Sequence, residues 1–152
     1  MSLAIGPADL SVVLPFRQAL LRPMQTVEAC VFEGDEAPDA DHLAARFDGE
    51  VVGIASVVPS ARPGGPVDGR RIRMVGVVAA HRGEGVGVEL TAACVGRAVV
   101  RGASEVWLSS RSHLVGWYRA MGFDVVGPEY DKPPVGPHVD LALPLRSGPS
   151  GP

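Results

Sequence analysis

The segment AAHRGEGVGVEL, residues 79–90, holds glycine at positions 83, 85 and 87 and directly follows a strand-like run, RIRMVGVV. Each glycine costs about 0.5–1 kcal/mol relative to alanine where a helix forms. Such freedom is useful where a ligand must approach the main chain closely. A strand that runs into a glycine-rich helix start also presents unpaired N–H groups and the positive end of the helix dipole. The segment therefore predicts an anion-binding loop, with phosphate as the usual ligand.

The spacing of the glycines excludes two common phosphate-binding motifs. A P-loop requires GxxxxGK[ST], and no Lys-Ser or Lys-Thr pair follows these glycines. The dinucleotide fingerprint GxGxxG needs a third glycine, but Val88 or Leu90 stands there, depending on which glycine starts the count. The pattern that remains is Arg-x-x-Gly-x-Gly, formed by Arg82, Gly85 and Gly87.

This strand, turn and helix start resemble the acyl-CoA pyrophosphate loop of the GNAT superfamily of N-acyltransferases. Downstream, WLSSRSHLVGWYRAMGF resembles that family's second signature, a strand and a short helix ending in Tyr-x-x-x-Gly-Phe, here Tyr118, Gly122 and Phe123. Gly87 and Tyr118 lie 31 residues apart, with fitting elements between them. The resemblance covers about residues 42–145 and is weaker over 7–41. It implies an N-acetyltransferase that uses acetyl-CoA.

The resemblance also implies a division of labour at the cofactor. Backbone amides of residues 82–88 would hold the diphosphate of coenzyme A, and the main chain of residues 75–77 would pair with its pantetheine arm as an added strand does. The implied cofactor-binding residues are Val75, Gly76, Val77, Arg82, Gly83, Glu84, Gly85, Val86, Gly87 and Val88. The alternative for the glycines is a tight turn that binds nothing.

Tyr118 is the implied catalytic residue. It would stand near the thioester sulfur and act as the general acid that protonates the departing CoA thiolate. A backbone N–H near Val77 would polarise the thioester carbonyl. The alternative for Tyr118 is a core aromatic on the helix face that also carries Leu114 and Met121.

The residue that accepts the amine's proton is not apparent. A lysine-like amine has a pKa of about 10.4, so only about one molecule in 10³ is neutral at pH 7. The strand RIRMVGVV carries no carboxylate, whereas many members of the family place glutamate there. Acidic candidates lie further upstream, namely Glu28, Glu33, Asp35, Glu36, Asp39 and Asp41. A solvated acidic loop and proton loss through water remain alternatives, and His42, His81 and His138 are interpreted as ordinary strand-end or loop residues.

The elements that must position these groups follow from residue patterning. Apolar periodicity, turn residues and caps predict these elements: a helix over 7–22 that Pro15 breaks or kinks, a hairpin over 42–58 turning at Asp48-Gly49, strands over 71–78, 104–110, 123–127 and 138–145, and helices over 83–101 and 112–121. Proline-rich surface loops are predicted over 59–66 and 128–137. The loop over 59–70 and the part over 130–136 are candidate borders of the acceptor cleft.

The helix between the strands 71–78 and 104–110 predicts a parallel strand pair, because a crossover helix must pack back on the sheet. The expected fold class is α/β, with a mixed, mainly antiparallel central sheet that contains one parallel strand–helix–strand unit. We expect a single domain over residues 1–146 and a disordered tail over 147–152.

Composition narrows the function further. With 14 Lys and Arg against 17 Asp and Glu, the formal charge of −3 argues against a nucleic-acid partner. No apolar run reaches the roughly 18 residues of a membrane span, and no signal-peptide pattern begins the chain. Cys30 and Cys94 have no metal-ligand spacing. We expect a cytoplasmic enzyme without a metal that acetylates a small-molecule or peptide amine. A homodimer is a weaker expectation, and a CoA-binding module without turnover is the alternative.

Overall fold

The computed structural model describes residues 2–145, which form one eight-stranded sheet with three α-helices. The strands are β1 Leu3–Pro7, β2 Asp41–Phe47, β3 Glu50–Pro59, β4 Arg70–Val77, β5 Glu105–Arg111, β6 Asp124–Val125, β7 Tyr130–Lys132 and β8 Gly136–Pro144. The α-helices are α1 Leu10–Leu21, α2 Val86–Val100 and α3 Val115–Arg119, and short 3-10 turns occur at Glu28–Cys30, Ala79–His81 and Ser112–Leu114. The tail predicted over 147–152 lies outside the described residues.

The sheet is mixed, as its sequence pattern predicts. Its strands follow the order β1-β2-β3-β4-β5-β8-β6, and β7 pairs with β8 beside this path. Neighbouring strands are antiparallel except β4 and β5, which are parallel and are joined through α2. The predicted fold class, including its parallel strand–helix–strand unit, is confirmed. Within residues 2–145, no helix is long and apolar enough to cross a membrane.

The parallel strands separate soon after they begin. Only Arg70 with Val106 and Arg71 with Trp107 are paired between β4 and β5. Further along β4 the register with β3 shifts: residues 73–76 of β4 stand opposite residues 54–56 of β3, so β4 has an extra residue there. Met74, within this bulge, has a φ of +57°. A bulge of this kind bends the strand and increases its twist. Among the described residues, the edge of β4 that faces β5 is therefore left without a strand partner beyond Arg71.

Helix α2 packs on the sheet through the side chains that its periodicity predicts. Val86, Leu90, Cys94 and Ala98 are each at most 2% exposed. Gly53 of β3 permits the close approach, since a Cβ there would lie 2.9 Å from Leu90 Cδ1. Burial raises the pKa of the Cys94 thiol, which is therefore a packing group. The first turns of α2 therefore pack closely against β3.

The N-terminal elements differ from the prediction. Strand β1 was missed, because a glycine and a proline within LAIGP weaken the strand pattern although an edge strand tolerates both. The helix predicted over 7–22 is α1, and Pro15 lies inside it without ending it. The buried side chains of Val13 and Arg17 hold this helix on both sides of the proline.

The C-terminal elements are shorter and more numerous than predicted. The helix expected over 112–121 is a 3-10 turn followed by α3, and Gly122 has a φ of +101°, which confirms its left-handed conformation. The strand expected over 123–127 contains only β6. Part of the loop expected over 128–137 is β7, which pairs with β8 from Tyr130 to Lys132. Prolines at 133 and 134 concealed this hairpin because they are unfavourable in strands.

Candidate active site

Two cavities open where β4 and β5 separate, and they meet at Tyr118. The cavity between the end of β4, the 82–88 loop and α3 measures about 560 Å³ and is called the loop cavity below. The cavity between β4, β5 and the region after α1 measures about 180 Å³ and is called the basic cavity. Their linings have four residues in common, namely Leu21, Val75, Leu114 and Tyr118.

The loop cavity brings together nearly all of the predicted cofactor-binding residues. The predicted residues on its wall are Val75, Gly76, Val77, Arg82, Gly83, Gly85, Val86, Gly87 and Val88. Glu84 is not on the wall, and its carboxylate is instead 2.8 Å from His81 Nδ1. Arg82 is exposed, and its Nε donates a hydrogen bond to the Val77 carbonyl oxygen at 3.1 Å. This bond ties the loop to the end of β4.

The glycine loop leaves its backbone donors free. Gly83 and Gly85 have φ of +81° and +84°, a region that other residues rarely adopt. The first hydrogen bond of α2 runs from the Glu89 N–H to the Gly85 carbonyl oxygen at 3.0 Å. Among the described residues, no hydrogen bond is donated by the backbone N–H groups of residues 83–88. A set of unpaired donors at the positive end of a helix fits the diphosphate of coenzyme A.

Trp117 forms the opposite wall of the loop cavity, a role that sequence reasoning missed. A Cβ at Gly87 would lie 3.3 Å from Trp117 Cη2, so glycine gives the Trp117 ring room to lie against the start of α2. The Trp117 ring is 38% exposed and meets the Tyr118 ring edge-on at 4.8 Å between centroids. Its position beside Tyr118 on a short helix was the available signal.

Tyr118 has a buried ring and a free hydroxyl. The side chain is 8% exposed and packs edge-on against Phe123, with 6.1 Å between ring centroids. Within residues 2–145, its hydroxyl has no hydrogen-bond partner, although buried tyrosines usually find one. Burial, with a smaller effect of Cys94, raises the pKa of Tyr118 to about 12, so the hydroxyl keeps its proton at neutral pH. Core packing explains the burial of the Tyr118 ring. It does not explain the position of the hydroxyl, which lies where the two cavities meet.

A family model described as an acetyltransferase (GNAT) domain matches residues 21–134. The chain belongs to the GNAT family. It is 29% identical over 132 residues to the uncharacterized N-acetyltransferase YitI of Bacillus subtilis (strain 168), and the match covers 86% of this chain and 89% of that protein. The family assignment predicted from Arg82, Gly85, Gly87 and Tyr118 is confirmed, and the chain is an N-acetyltransferase.

Solved structures of GNAT proteins share the fold. Escherichia coli ElaA superposes with a TM-score of 0.76 at 23% identity, over 93% of this chain and 99% of that one. An aminoglycoside 6'-N-acetyltransferase complexed with coenzyme A superposes with a TM-score of 0.71 at 17% identity, over 97% of this chain and 99% of that one. At these identities the likeness supports the GNAT fold and leaves the acceptor open.

The acidic residues considered as bases are not brought to either cavity of this GNAT domain. Asp35 accepts two hydrogen bonds from the buried Arg17, at 2.5 and 2.9 Å. Burial alone would raise the pKa of Asp35, but the Arg17 hydrogen bond and charge lower it below its usual value. Asp39 pairs with Arg70, and Asp41 pairs with Arg97 and Arg101. Neither cavity is lined by Glu28, Glu33, Asp35, Glu36, Asp39 or Asp41.

His138 lies on the wall of the basic cavity, although sequence reasoning treated it as an ordinary strand-end residue. Its side chain is buried, and Nδ1 is 2.8 Å from the Gly136 carbonyl oxygen. A carbonyl oxygen can only accept, so Nδ1 carries a proton and Nε2 holds the lone pair of the neutral imidazole. The other polar side chains on this wall are hydroxyls and cations, Arg22, Arg71, Arg73, Ser109, Ser110, Arg111, Tyr118 and Lys132. His138 is therefore the side chain on this wall best suited to accept a proton, because the arginine and lysine side chains offer no acceptor and a hydroxyl is a much weaker base than imidazole.

Proposed function

We propose that this GNAT enzyme moves an acetyl group from acetyl-CoA to a primary amine by direct transfer, with the reacting atoms beside Tyr118. The observation that carries this proposal is the meeting of two cavities at Tyr118, one walled by free backbone donors and the other by side chains. Cys94 lines neither cavity, so no thiol is placed to carry the acetyl group in between.

On the cofactor side, the N–H groups of residues 83–88 bind the diphosphate, and the free edge of β4 around residues 75–77 pairs with the pantetheine arm. The support is that, among the described residues, these donors have no main-chain partner and this edge has no strand partner, although the Val77 carbonyl oxygen accepts a hydrogen bond from Arg82 Nε. When bound, acetyl-CoA supplies an acyl group activated as a thioester. A backbone N–H near Val77 polarises the thioester carbonyl.

On the acceptor side, two side chains move protons. His138 accepts through Nε2 the proton that the amine loses as the carbon–nitrogen bond forms. Tyr118 donates its hydroxyl proton to the sulfur as the carbon–sulfur bond breaks, and water returns both side chains to their starting states. One amine and one thioester are consumed, and one amide and one thiol are produced.

The experiment that tests the proposal is the release of free thiol from acetyl-CoA in the presence of amino acids, aminoglycosides, polyamines and peptides. We expect thiol release that depends on the amine. Calorimetry with coenzyme A accompanies the assay. Binding without thiol release for any amine would favour a CoA-binding module, and absence of binding at millimolar coenzyme A would remove the cofactor assignment itself.

A further inference from the structure

The charges on the wall of the basic cavity have a single sign. Its lining contains five cationic side chains, those of Arg22, Arg71, Arg73, Arg111 and Lys132, and none of the residues on this wall is a carboxylate. The chain as a whole carries a formal charge of −3, so this concentration is not part of a generally basic surface. The five cations come from four places in the chain: the residue after α1, β4, the end of β5 and β7.

These cations lack the partners that other arginines of the chain have. Arg17, Arg62, Arg70, Arg97 and Arg101 all form ion pairs with carboxylates. Within residues 2–145, none of the five cations of the basic cavity belongs to an ion pair. The contrast is sharpest along β4, where Arg70 is paired with Asp39 and the next residue, Arg71, is not.

Two of the guanidinium groups are partly buried, and each has a buried nitrogen without a hydrogen-bond partner. The Nε atoms of Arg71 and Arg73 are inaccessible and have no hydrogen-bond partner. Burying charged groups without partners is unfavourable. Burial, followed by the neighbouring charge of Arg71, lowers the pKa of Arg73 to about 10, and burial with Arg71 and Arg73 also lowers the pKa of Lys132. The fold therefore maintains a local positive charge that an anion would relieve.

Aromatic rings hold both guanidinium groups in place. Arg71 lies over the Trp107 ring at 4.5 Å from its centroid, and Arg73 lies over the Phe32 ring at 5.2 Å. Stacking fixes the plane of a guanidinium group. The N–H edges of Arg73 remain available, whereas one Nη of Arg71 donates a hydrogen bond to Ser109 Oγ at 2.9 Å. Nearby carboxylates offset this charge only in part, because burial lowers the pKa of Arg71 overall although the charges of Asp140 and Glu33 raise it.

We propose that the basic cavity binds an oxyanion of the acceptor, so that the enzyme acetylates a small primary amine that also carries a carboxylate or phosphate group. This inference rests on the proposed acetyl transfer at Tyr118. Planar, fixed guanidinium groups match the two oxygens of such an anion. With the anion at Arg73 and Lys132, the amine extends toward Tyr118, where the basic cavity meets the loop cavity.

The size of the cavity limits the acceptor. Its volume of about 180 Å³ is below the range of about 300–1,000 Å³ that is usual for ligand pockets. A short linker between amine and anion fits this space better than a folded protein surface does. A cationic acceptor, such as a polyamine, would meet charges of its own sign.

The test uses four primary amines of matched length in the thiol-release assay: 4-aminobutyrate, 3-aminopropylphosphonate, 4-aminobutanol and 1,4-diaminobutane. We expect kcat/KM to be at least about tenfold higher for the two anionic amines than for the alcohol, and lowest for the diamine. The ranking of carboxylate against phosphonate identifies the preferred oxyanion. Equal or higher kcat/KM for the alcohol or the diamine overturns the inference and leaves acetyl transfer standing.

Variants locate the effect. Arg73→Gln is expected to lower kcat/KM for the anionic amines by about 10–100-fold and to change the value for 4-aminobutanol by less than about threefold. Arg73→Lys keeps the charge and recovers part of the loss. Arg119→Gln is the matched control, because Arg119 is exposed on α3 and lines neither cavity. Thermal unfolding of each variant verifies that it is folded.

A binding measurement separates this inference from the proposed function. If no amine gives thiol release, the proposed function fails, and calorimetric titration with inorganic phosphate in the presence of coenzyme A then decides the anion site. Phosphate binding to the wild type and to Arg119→Gln that is lost in Arg73→Gln supports it. Equal phosphate affinity in all three proteins overturns it.

Discussion

The two cavities that meet at Tyr118 are lined by different chemical groups. The loop cavity presents main-chain donors and mostly small or apolar side chains, and most of its lining comes from one continuous stretch, from the end of β4 to the start of α2. The basic cavity presents long charged side chains from separate strands and turns. Main-chain recognition suits a ligand whose chemistry is the same throughout an enzyme family, whereas side chains can be exchanged individually. The difference agrees with the proposal that acetyl-CoA binds in the loop cavity and the acceptor amine in the basic cavity.

The largest effect is expected from a substitution that changes the backbone conformation of the loop and so tests whether the loop cavity binds through its main chain. Gly85 has a φ of +84° at the N-cap of α2, and a β-branched residue there is strained. Gly85→Val would rotate the N–H groups away from a common ligand position. We expect the dissociation constant for coenzyme A, measured by calorimetry, to rise by more than about 100-fold, which corresponds to about 2.7 kcal/mol.

The control is the same substitution at the other end of the same helix. Gly102 follows α2 with a φ of +79° and open space around it, so Gly102→Val introduces similar backbone strain far from both cavities. Its affinity for coenzyme A should match the wild type. Equal weakening in both variants would mean that the loop acts only through the stability of α2.

The residues of the loop cavity could be predicted from the sequence because a loop that binds a ligand through its main chain needs glycines at fixed positions. The local sequence alone predicts that residues 82–88 form a turn at the start of a helix. The four-residue period of Val86, Leu90, Cys94 and Ala98 predicts which face of that helix is buried. Glu84 was assigned for its backbone amide within residues 82–88, and its carboxylate lies 2.8 Å from His81 Nδ1. Sequence spacing locates a main-chain site well but does not tell which side chains face it.

The second prediction concerns the point that both cavities share. Tyr118→Phe removes a hydroxyl that has no partner in the described structure, so we expect nearly unchanged thermal stability. General acid catalysis typically contributes about 10²–10⁴-fold, and kcat at saturating acetyl-CoA should fall by about 100-fold with little change in affinity for coenzyme A. An unchanged kcat would return Tyr118 to a packing role.

The pH profile of the wild type gives an independent check of the same hydroxyl. The pKa of Tyr118 is raised to about 12, mainly by burial, so the proton needed by the leaving thiolate remains bound through about pH 11. We therefore expect kcat not to decline between pH 7 and pH 10. A decline within this window that Tyr118→Phe abolishes would show that the hydroxyl ionises earlier than its burial implies.

A smaller effect is expected from the proton acceptor on the basic side. His138→Asn retains a donor near the position of Nδ1 for the Gly136 carbonyl but cannot accept the amine's proton as imidazole does. We expect kcat/KM to fall about tenfold at pH 7 and the deficit to shrink toward pH 10, because more of the amine is then neutral without help. A deficit that is constant across this range would indicate that His138 only shapes the cavity.

The side chains that line the basic cavity could not be predicted from the sequence, because they come from separate parts of the chain. The two-residue alternation of Arg71 and Arg73 places them on one face of β4, but the bulge at Met74 decides that this face lines an open cleft. Lys132 joins them through β7, which prolines concealed, and His138 through its position beside that strand. These side chains come together only through long-range strand pairing, which local sequence patterns do not predict.

The smallest effect tests whether the unpaired cations are retained for a ligand and not for the fold. The pKa of Arg73 is lowered from its usual value to about 10, which means that the charged side chain disfavours the folded state at every pH below about 10. Arg73→Gln removes this charge, so it should raise the free energy of unfolding at pH 7 by about 1 kcal/mol, or the melting temperature by roughly 2–4 °C. Loss of stacking on Phe32 opposes the gain. A melting temperature below that of Arg119→Gln would show that the stacking dominates and that Arg73 supports the fold.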